Sequence, residues 1–251
     1  MEKSKVFISV VIPAYNEEEN IKRGATHKVF SYLRDQDYLW EVIFVDDGSA
    51  DKTVRLLSNF VKKDSRMKLI QNPHQGKAAT VTTGIMAAKG DIVLFSDMDG
   101  ATPISEVEKF LPWFDKGYEV VIGSRSGRKG APIVRKLMAW GFILLRTIFL
   151  RLPFRDTQTG FKAFSRRATM SIFKKLRIFG KGGVIKGAAV KAGFDLEVLY
   201  VARKLRFKIK EVPVVWGYQG TMRVNPVKDS LDGLKDLLRI RWNAIKGEYS
   251  K

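Results

Sequence analysis

Residues 90–102, GDIVLFSDMDGAT, decide the fold. Residues 92–95 are all apolar, which is typical of a strand buried on both faces of a parallel sheet. Asp97, Met98 and Asp99 follow directly, so two carboxylates stand at the carboxyl end of a core strand, where ligands of open α/β sheets bind. Aspartates at this spacing can turn toward one hard divalent cation, Mg²⁺ or Mn²⁺, which also takes phosphate oxygens as ligands. A plain surface turn is the alternative, because Asp and Gly are ordinary turn residues.

The composition limits the classes of function. The 251 residues include 45 Lys and Arg against 26 Asp and Glu, a formal charge of +19. This length suits one large α/β domain or two small ones. The positive field would attract polyanions, whether nucleic acid, anionic lipid headgroups or phosphorylated substrates. Because there is no cysteine and there are only two histidines, disulfides and thiolate metal sites are excluded, and a histidine-based catalytic triad has few candidates.

Strand-like and helical segments alternate as far as Arg125, with polar loops after each strand. This alternation predicts a doubly wound α/β layer, a mostly parallel sheet flanked by helices. Within it, Asn16 is expected to cap a helix over residues 18–34, and Gly90 to end a helix over residues 78–89.

Beyond Arg125 the pattern becomes more basic, and two helices are ambiguous. Residues 132–150 mix arginines with large apolar side chains, which indicates either a helix in a membrane interface or a buried helix with snorkelling arginines. The C-terminal helix carries an apolar series at helical spacing among Lys and Arg, so it either docks on a membrane or partner or packs on the core. That series is Val227, Leu231, Leu234, Leu238, Trp242 and Ile245.

No segment predicts a membrane span or a signal peptide. The most hydrophobic stretch, residues 137–150, is interrupted by Arg146 and is shorter than the roughly 20 residues that cross a bilayer. The charged N-terminus enters a strand-like run without a cleavage pattern. Cytoplasmic residence is therefore the expectation.

Six short motifs occur in a fixed order along the chain. They are PAYNEE (13–18), DDGS (46–49), GKAA (76–79), DMDG (97–100), GSR (123–125) and DTQTGFKAF (156–164). In this order they resemble the inverting family 2 glycosyltransferases with a GT-A fold, especially the polyprenyl-phosphate sugar transferases such as the dolichyl-phosphate β-glucosyltransferases. The resemblance covers residues 6–242. It implies one GT-A catalytic domain with a nucleotide-sugar half at 6–125, an acceptor half at 126–226 and an amphipathic helix at 227–246.

The resemblance also implies the residues that hold the donor. The nucleotide-sugar would contact Pro13, Ala14, Tyr15, Glu17, Asp46, Asp47, Lys77, Asp97 and Met98. Within this set Lys77 would lie near the diphosphate, the alternative being an exposed lysine that begins a helix. Asp97 and Asp99 would hold Mg²⁺ or Mn²⁺, with Asp99 as the direct ligand and Met98 pointing away. A bound cation of this kind neutralises the charge that grows on a nucleoside diphosphate leaving group.

The acceptor implied by the resemblance is a lipid phosphate, which is already ionised at neutral pH and needs positioning more than deprotonation. Arg125 and Arg135 match the positions that contact this phosphate, a surface location being the alternative for either. Asp156 and Gln158 would flank the sugar and acceptor pocket. Asp195 stands where relatives with hydroxyl acceptors need a general base; here it could bind sugar hydroxyls or cap its helix. Asp99, Asp156 and Asp195 are the candidate catalytic residues.

A third group of residues, Trp216 and Arg223, falls where the family closes a flexible loop over the donor. The loop GYQGTMRV (217–224) lacks the acidic residue often present there, which leaves the sugar open. The expected reaction moves a hexose, glucose from UDP-glucose, to dolichyl or polyprenyl phosphate. The alternatives are GDP-mannose as donor, or a saccharide or protein hydroxyl as acceptor.

The remaining expectations concern partners. Many polyprenyl-phosphate transferases carry membrane helices and none is predicted here, so attachment would be peripheral, through basic and amphipathic surfaces on an anionic membrane. A nucleic-acid-binding protein would interleave basic residues with exposed aromatics or carry a reader motif. We find neither in the sequence, and no nucleic acid partner is expected. The oligomeric state stays open.

Overall fold

Seven strands form the centre of the computed structural model, which describes residues 6–125, 133–178, 193–217 and 226–250. The strands are β1 (Phe7–Ala14), β2 (Leu39–Asp46), β3 (Met67–Gln71), β4 (Ile92–Ser96), β5 (Val120–Arg125), β6 (Phe161–Ser165) and β7 (Ile209–Val214). The helices are α1 (Glu18–Lys22), α2 (Ala25–Arg34), α3 (Thr53–Val61), α4 (Lys77–Ala87), α5 (Leu111–Asp115), α6 (Ile133–Leu150), α7 (Arg166–Phe173), α8 (Gly193–Lys204) and α9 (Pro226–Ile245), with a 3₁₀ helix at Ile104–Lys109.

The strands lie in the order β3-β2-β1-β4-β6-β5-β7. All neighbouring pairs are parallel except those of β6, which runs antiparallel to both β4 and β5. The predicted mostly parallel α/β fold is therefore confirmed. The reversal of β6 matters for the site, because the loop that precedes β6 then lies at the same edge as the carboxyl ends of its neighbours.

Alternation along the central strands creates a core on each face of the sheet. In β1, Val11 faces the cluster formed with α4, α7, α8 and α9, whereas Val10 and Ile12 face the cluster formed with α1, α2, α3 and the 3₁₀ helix. All residues of β4 are buried, as the apolar run 92–95 predicts for a strand covered on both sides.

The first predicted helix is broken. Gly24, at a φ of +86°, separates α1 from α2, so the helix predicted over residues 18–34 is two shorter ones. The prediction of Asn16 as its cap is wrong: Asn16 has a φ of +54°, Glu17 holds the N-cap position, and the Asn16 side chain accepts a hydrogen bond from the amide of Ala50.

Gly90 has a different role from the predicted helix end. Helix α4 ends at Ala87 with an extended residue, Ala88, at its C-cap. A β carbon at position 90 would lie 2.6 Å from the Ser9 amide nitrogen and 2.7 Å from the Phe7 carbonyl oxygen. Glycine is therefore required there by the close approach of β1.

Helix α6 has one buried side and one exposed side. Its Arg146 is buried and donates a hydrogen bond to the Thr157 hydroxyl at 2.9 Å. On another side of the helix, Trp140, Leu144 and Ile148 are exposed. Among the described residues, no helix has the length and apolarity needed to cross a membrane.

Candidate active site

The carboxyl edge of the sheet gathers the charged residues of the motifs. Because β1 and β2 are paired in register from Phe7 to Ala14, the residues after Ala14 and Asp46 emerge side by side. Strand β4 pairs with β1 on the other side and delivers Asp97 to the same edge. The antiparallel strand β6 starts at this edge, since Phe161 pairs with Ser96. The loop 156–160 therefore joins the site.

Asp46 presents a buried carboxylate to this edge. Its Oδ2 accepts hydrogen bonds from the amides of Gly48 and Ser49 at 2.9 and 3.1 Å. Its Oδ1 is buried and accepts no hydrogen bond from any residue that the structure describes. A buried acceptor left without a donor is costly, so this oxygen is suited to a donor on a ligand.

The Asp47 carboxylate, unlike that of Asp46, binds groups of the protein on both of its oxygens. Its carboxylate accepts hydrogen bonds from the amides of Gln75 and Gly76 at 2.8 and 2.9 Å, and lies 2.8 Å from His74 Nδ1. The ring of His74 stacks on that of Tyr15 with centroids 4.2 Å apart and planes at 12°. Asp47 thus orders the loop before α4 and holds an aromatic pair in place. His74 was not predicted as a site residue, because only this long-range contact reveals it.

The turn after β1 is fixed by the loop after β2. The amides of Asn16 and Glu17 donate to the hydroxyls of Ser49 and Thr53 at 2.9 and 2.7 Å. The Glu17 carboxylate accepts from the side-chain amide of Asn20. Two further predicted donor contacts, Pro13 and Ala14, lie within β1 with buried side chains, so only their backbone could meet a ligand.

Lys77 and Asp97 form an ion pair at the start of α4, with 2.6 Å between Nζ and Oδ1. Burial alone would lower the pKa of Lys77, but the carboxylates of Asp97, Asp195 and Asp99 outweigh it and raise that pKa. The lysine is therefore held charged in the middle of the acidic cluster. Its Nζ also lies 5.3 Å from the centre of the Phe95 ring.

Asp99 follows in a tight turn, in which its Oδ1 accepts from the Ala101 amide at 2.9 Å. Burial and the neighbouring charge of Asp97 raise the pKa of Asp99. Between these two aspartates the Met98 side chain is buried in the apolar core, with 5% of its surface exposed. Only the backbone of Met98 is thus left to meet a ligand.

These aspartates fit Mg²⁺ or Mn²⁺ in one particular way. Among the described residues there is no group of three or more His, Cys, Asp or Glu side chains that could hold a metal ion. Asp97 and Asp99 would thus supply the protein ligands, with the other positions left to phosphate and water, as is usual for Mg²⁺. Partial burial of two like charges at this turn is unfavourable, and a divalent cation would relieve it.

Arg125 binds Asp156 through two parallel hydrogen bonds, from Nε to Oδ2 at 2.6 Å and from Nη2 to Oδ1 at 3.0 Å. Burial tends to raise the pKa of Asp156, but Arg125 and the hydroxyl of Thr159 hold it far below its usual range. The guanidinium also lies 5.6 Å from the centre of the exposed Trp216 ring. Gln158 is exposed, and its backbone amide donates to Asp156 Oδ1. Asp156 therefore organises the loop 156–160 around Arg125.

The sequence did not predict a second buried ion pair, between Lys162 and Asp195. Lys162 on β6 is almost fully buried, and its Nζ donates to Asp195 Oδ1 at 2.6 Å and to the Thr159 carbonyl. Asp195 stands in the first turn of α8. The only sequence signal is a lysine within the apolar run FKAF, and its partner lies 33 residues away.

The side chains of two predicted site residues lie outside the described part of the structure. Arg135 lies in the first turn of α6, but its side chain is outside the described part of the structure, and Arg223 lies outside the described residues altogether. The same holds for residues 180–192 of the Gly- and Lys-rich segment.

A mostly parallel sheet with acidic and basic side chains gathered at its carboxyl edge is the architecture of a nucleotide-binding α/β enzyme. The sequence matches the family described as Glycosyl transferase family 2 over residues 9–173. The chain therefore belongs to this family and is a glycosyltransferase, which confirms the predicted resemblance.

Individual relatives extend over most of the chain. A protein of Dictyostelium discoideum named dolichyl-phosphate beta-glucosyltransferase is 31% identical, with 96% of this chain and 76% of the relative covered. The Homo sapiens protein of the same name is also 31% identical, with 96% and 77% covered.

Solved structures share the fold. Glucosyl-3-phosphoglycerate synthase from Mycobacterium tuberculosis, in complex with UDP, superposes with a TM-score of 0.63 at 22% identity, covering 94% of this chain and 80% of that one. A mannosyltransferase from Pyrobaculum calidifontis, in complex with GDP-Man and Mn²⁺, gives a TM-score of 0.61 at 18% identity, covering 96% and 65%. The predicted GT-A architecture is confirmed.

Proposed function

We propose that the chain transfers glucose from UDP-glucose to dolichyl phosphate or a related polyprenyl phosphate, with Mg²⁺ or Mn²⁺, at the cytoplasmic face of a membrane to which it attaches peripherally. The observation that carries the acceptor is the similarity, over 96% of the chain, to proteins named for that reaction. In this proposal residues 6–125 bind the donor and residues 126–226 the acceptor, and residues 227–246 form a C-terminal amphipathic helix.

The nucleoside subsite favours uracil over guanine. Uracil offers one N–H donor, at N3, whereas guanine offers N1–H together with its amino group. Asp46 has one buried oxygen that accepts no hydrogen bond from a described residue, while its other oxygen already accepts from two amides. A single donor matches this arrangement. The stacked rings of Tyr15 and His74 supply an aromatic surface beside it.

The diphosphate belongs next to Lys77, Asp97 and Asp99. Lys77 is held charged by the surrounding carboxylates, so it can offset the negative charge that develops on the leaving UDP. Asp97 and Asp99 would hold the divalent cation, which as a Lewis acid stabilises the same charge. The ion pair between Lys77 and Asp97 keeps the lysine and the cation site adjacent.

The acceptor phosphate requires no general base. Its oxygen is already ionised, so it attacks the anomeric carbon as the bond from that carbon to UDP breaks, and no proton is moved. Asp195 is tied to Lys162, which suits a role in shape and charge better than in proton removal. Arg125 lies at the end of β5 with a planar pair of donors that fits phosphate as well as carboxylate.

A donor and acceptor matrix tests the proposal. Release of UDP or GDP is measured with UDP-glucose or GDP-mannose, with Mn²⁺ or EDTA, and with polyprenyl phosphate, free polyprenol or a soluble glycan. We expect metal-dependent UDP release and a glucosylated lipid only with the phosphate. Release of GDP from GDP-mannose, with no release of UDP from UDP-glucose, would overturn the assigned donor. Turnover on the glycan but not on the lipid phosphate would overturn the assigned acceptor.

A further inference from the structure

Helix α9 has two apolar faces. One packs on the core, where Leu237 and Ile240 are fully buried. The other consists of four large side chains that are about half exposed or more: Leu231 56%, Leu238 49%, Trp242 59% and Ile245 65%. These four belong to the apolar series noted in the sequence. Because they are exposed, core packing is not their role.

The four exposed side chains form one continuous stripe. At about 100° per residue they fall in a sector roughly 60° wide, on the far side of the helix from Leu237 and Ile240. We call the residues Leu231, Leu238, Trp242 and Ile245 the outer stripe. No described segment covers it, since all four remain exposed in the folded chain.

Basic side chains flank the outer stripe. The exposed members are Lys235, Arg239, Arg241 and Lys246. On the helical wheel Arg241 lies on one side of the stripe and the other three lie on the opposite side. Among the side chains that the structure describes, the acidic neighbour of the stripe is Asp232, whose Oδ1 lies 3.6 Å from the Nζ of Lys235. The Nζ of Lys246 lies 5.0 Å from the centre of the Trp242 ring.

We propose that the outer stripe and its basic flanks are the surface by which the protein docks on an anionic lipid bilayer. Tryptophan and aliphatic side chains enter the boundary between headgroups and acyl chains, while flanking Lys and Arg reach the lipid phosphates. This inference rests on the proposed function, in which the acceptor is embedded in a membrane, and it names the protein surface that meets that membrane.

The charges favour lipid over a second copy of the chain. A symmetric dimer through this face would bring two sets of basic residues together, and charged residues are depleted at the centres of stable interfaces. An anionic bilayer instead neutralises them. The neighbouring helix α6, which packs against α9, also exposes Trp140 and Ile148, so further apolar surface is available nearby.

The test is co-sedimentation of the full chain with vesicles of phosphatidylcholine alone or with 30% phosphatidylserine, a composition of roughly physiological charge. Wild type should bind the anionic vesicles and release them as salt is raised. Leu238→Ser/Trp242→Ser/Ile245→Ser should weaken binding by more than about 100-fold, and Arg239→Gln/Arg241→Gln by roughly 30-fold. Leu39→Ser, at an exposed residue of β2 (57%), is the matched control and should bind as wild type.

A second measurement separates this inference from the proposed function. With a short-chain, water-soluble polyprenyl phosphate, the stripe variant should keep wild-type turnover, which also shows that it is folded, while turnover on vesicle-embedded acceptor falls. Vesicle binding by wild type without turnover on either acceptor would refute the proposed function alone. Equal vesicle binding by wild type and stripe variant would overturn the docking surface. A wild-type dimer in solution that the stripe variant converts to monomer would also overturn it, because a second copy would then cover the stripe.

Discussion

Gly160 leaves no room for a side chain beside Asp97. A β carbon at position 160 would lie 1.8 Å from Asp97 Oδ2, and the Gly160 carbonyl accepts the amide hydrogen of Asp97 at 3.1 Å. Because β6 runs antiparallel to β4, these two motifs meet although they are more than 60 residues apart in the sequence. The placement of Asp97 therefore depends on glycine at position 160.

Gly160→Ala should impair transfer through this contact. The new methyl group must displace the Asp97 carboxylate and with it the partner of Lys77, so we expect turnover to fall by at least about 10-fold, since small misplacements of catalytic groups are costly. The matched control is Gly141→Ala in α6, where no atom of the described residues lies within 4 Å of the added carbon. Steady-state kinetics and thermal unfolding of both variants make the comparison. Unchanged kinetics in Gly160→Ala would show that Asp97 is not held as described.

Asp99→Asn should lose activity and gain stability. Burial and the Asp97 charge both disfavour the ionised carboxylate, whereas an asparagine can keep the hydrogen bond from Ala101 without the charge. In EDTA at neutral pH we expect the melting temperature to rise by about 1–4 °C. Metal-dependent transfer should fall by more than about 100-fold if Asp99 is the direct ligand.

The control for Asp99→Asn is addition of Mn²⁺ with UDP. Ligand binding to the native state should raise the melting temperature of wild type and not that of the variant. A variant with near-normal turnover would refute the metal assignment.

The sequence was sufficient to predict which strands carry the site residues. It was insufficient to predict which side chains of the site contact each other. Apolar runs ending in polar turns predicted β1, β2 and β4 and hence Asp46 and Asp97 at one edge, because that inference needs only local patterns. Which carboxylates face a ligand depends on contacts between distant segments. Asp47 is bound to His74 and to backbone amides of the loop before α4, and Asp156 is bound to Arg125. Nothing local in DDGS or DTQTG predicts these distant partners.

Helical periodicity likewise identified α9 and left its orientation undecided. The apolar series that includes Leu238 and Trp242 is regular enough for a core face. The core is instead contacted by Leu237 and Ile240, which lie on the other side of the helix at a spacing that is equally helical. Two apolar faces on one helix give a periodicity that cannot tell which of them is buried. Only the packing of α9 against α6 and α8 decides it.

Lys162→Met should destabilise the fold, and part of the loss should be recovered by a second change. Removing one partner of a buried ion pair leaves the other uncompensated, which costs about 2–4 kcal/mol here after allowance for solvent at Asp195. Lys162→Met/Asp195→Asn should therefore be more stable than Lys162→Met alone, with a coupling of about 1 kcal/mol or more.

Urea unfolding at pH 7 measures this cycle for the Lys162–Asp195 pair. The matched control is Lys22→Met, which breaks the pair with Glu18 at a lysine side chain that is 53% exposed, and it should leave the stability close to that of wild type because solvent screens exposed pairs. Additive effects of the two substitutions at 162 and 195 would contradict a direct pair.

Asp156→Asn should make stability less dependent on pH in acid. Arg125 holds the pKa of Asp156 below that of the unfolded chain, so the native state favours the ionised form. The resulting stabilisation is fully present above the unfolded value of about 3.9 and is lost progressively as pH falls below it. At pH 7 the variant should be less stable than wild type by about 2–3 kcal/mol, as expected for a charged hydrogen-bonded pair, and the gap should narrow steadily below about pH 4.

The measurement for Asp156→Asn is denaturant unfolding of wild type and variant from pH 7 downward. Asp35→Asn is the control, because Asp35 pairs with Arg34 at side chains that are 68% and 60% exposed, and it should shift stability by less than about 1 kcal/mol at every pH. The same Asp156→Asn protein should show a raised KM for the acceptor if Arg125 binds its phosphate, since the guanidinium then loses the carboxylate that orients it. A stability gap that stayed constant into acid would mean that the charge of Asp156 is not what holds the loop 156–160 to Arg125.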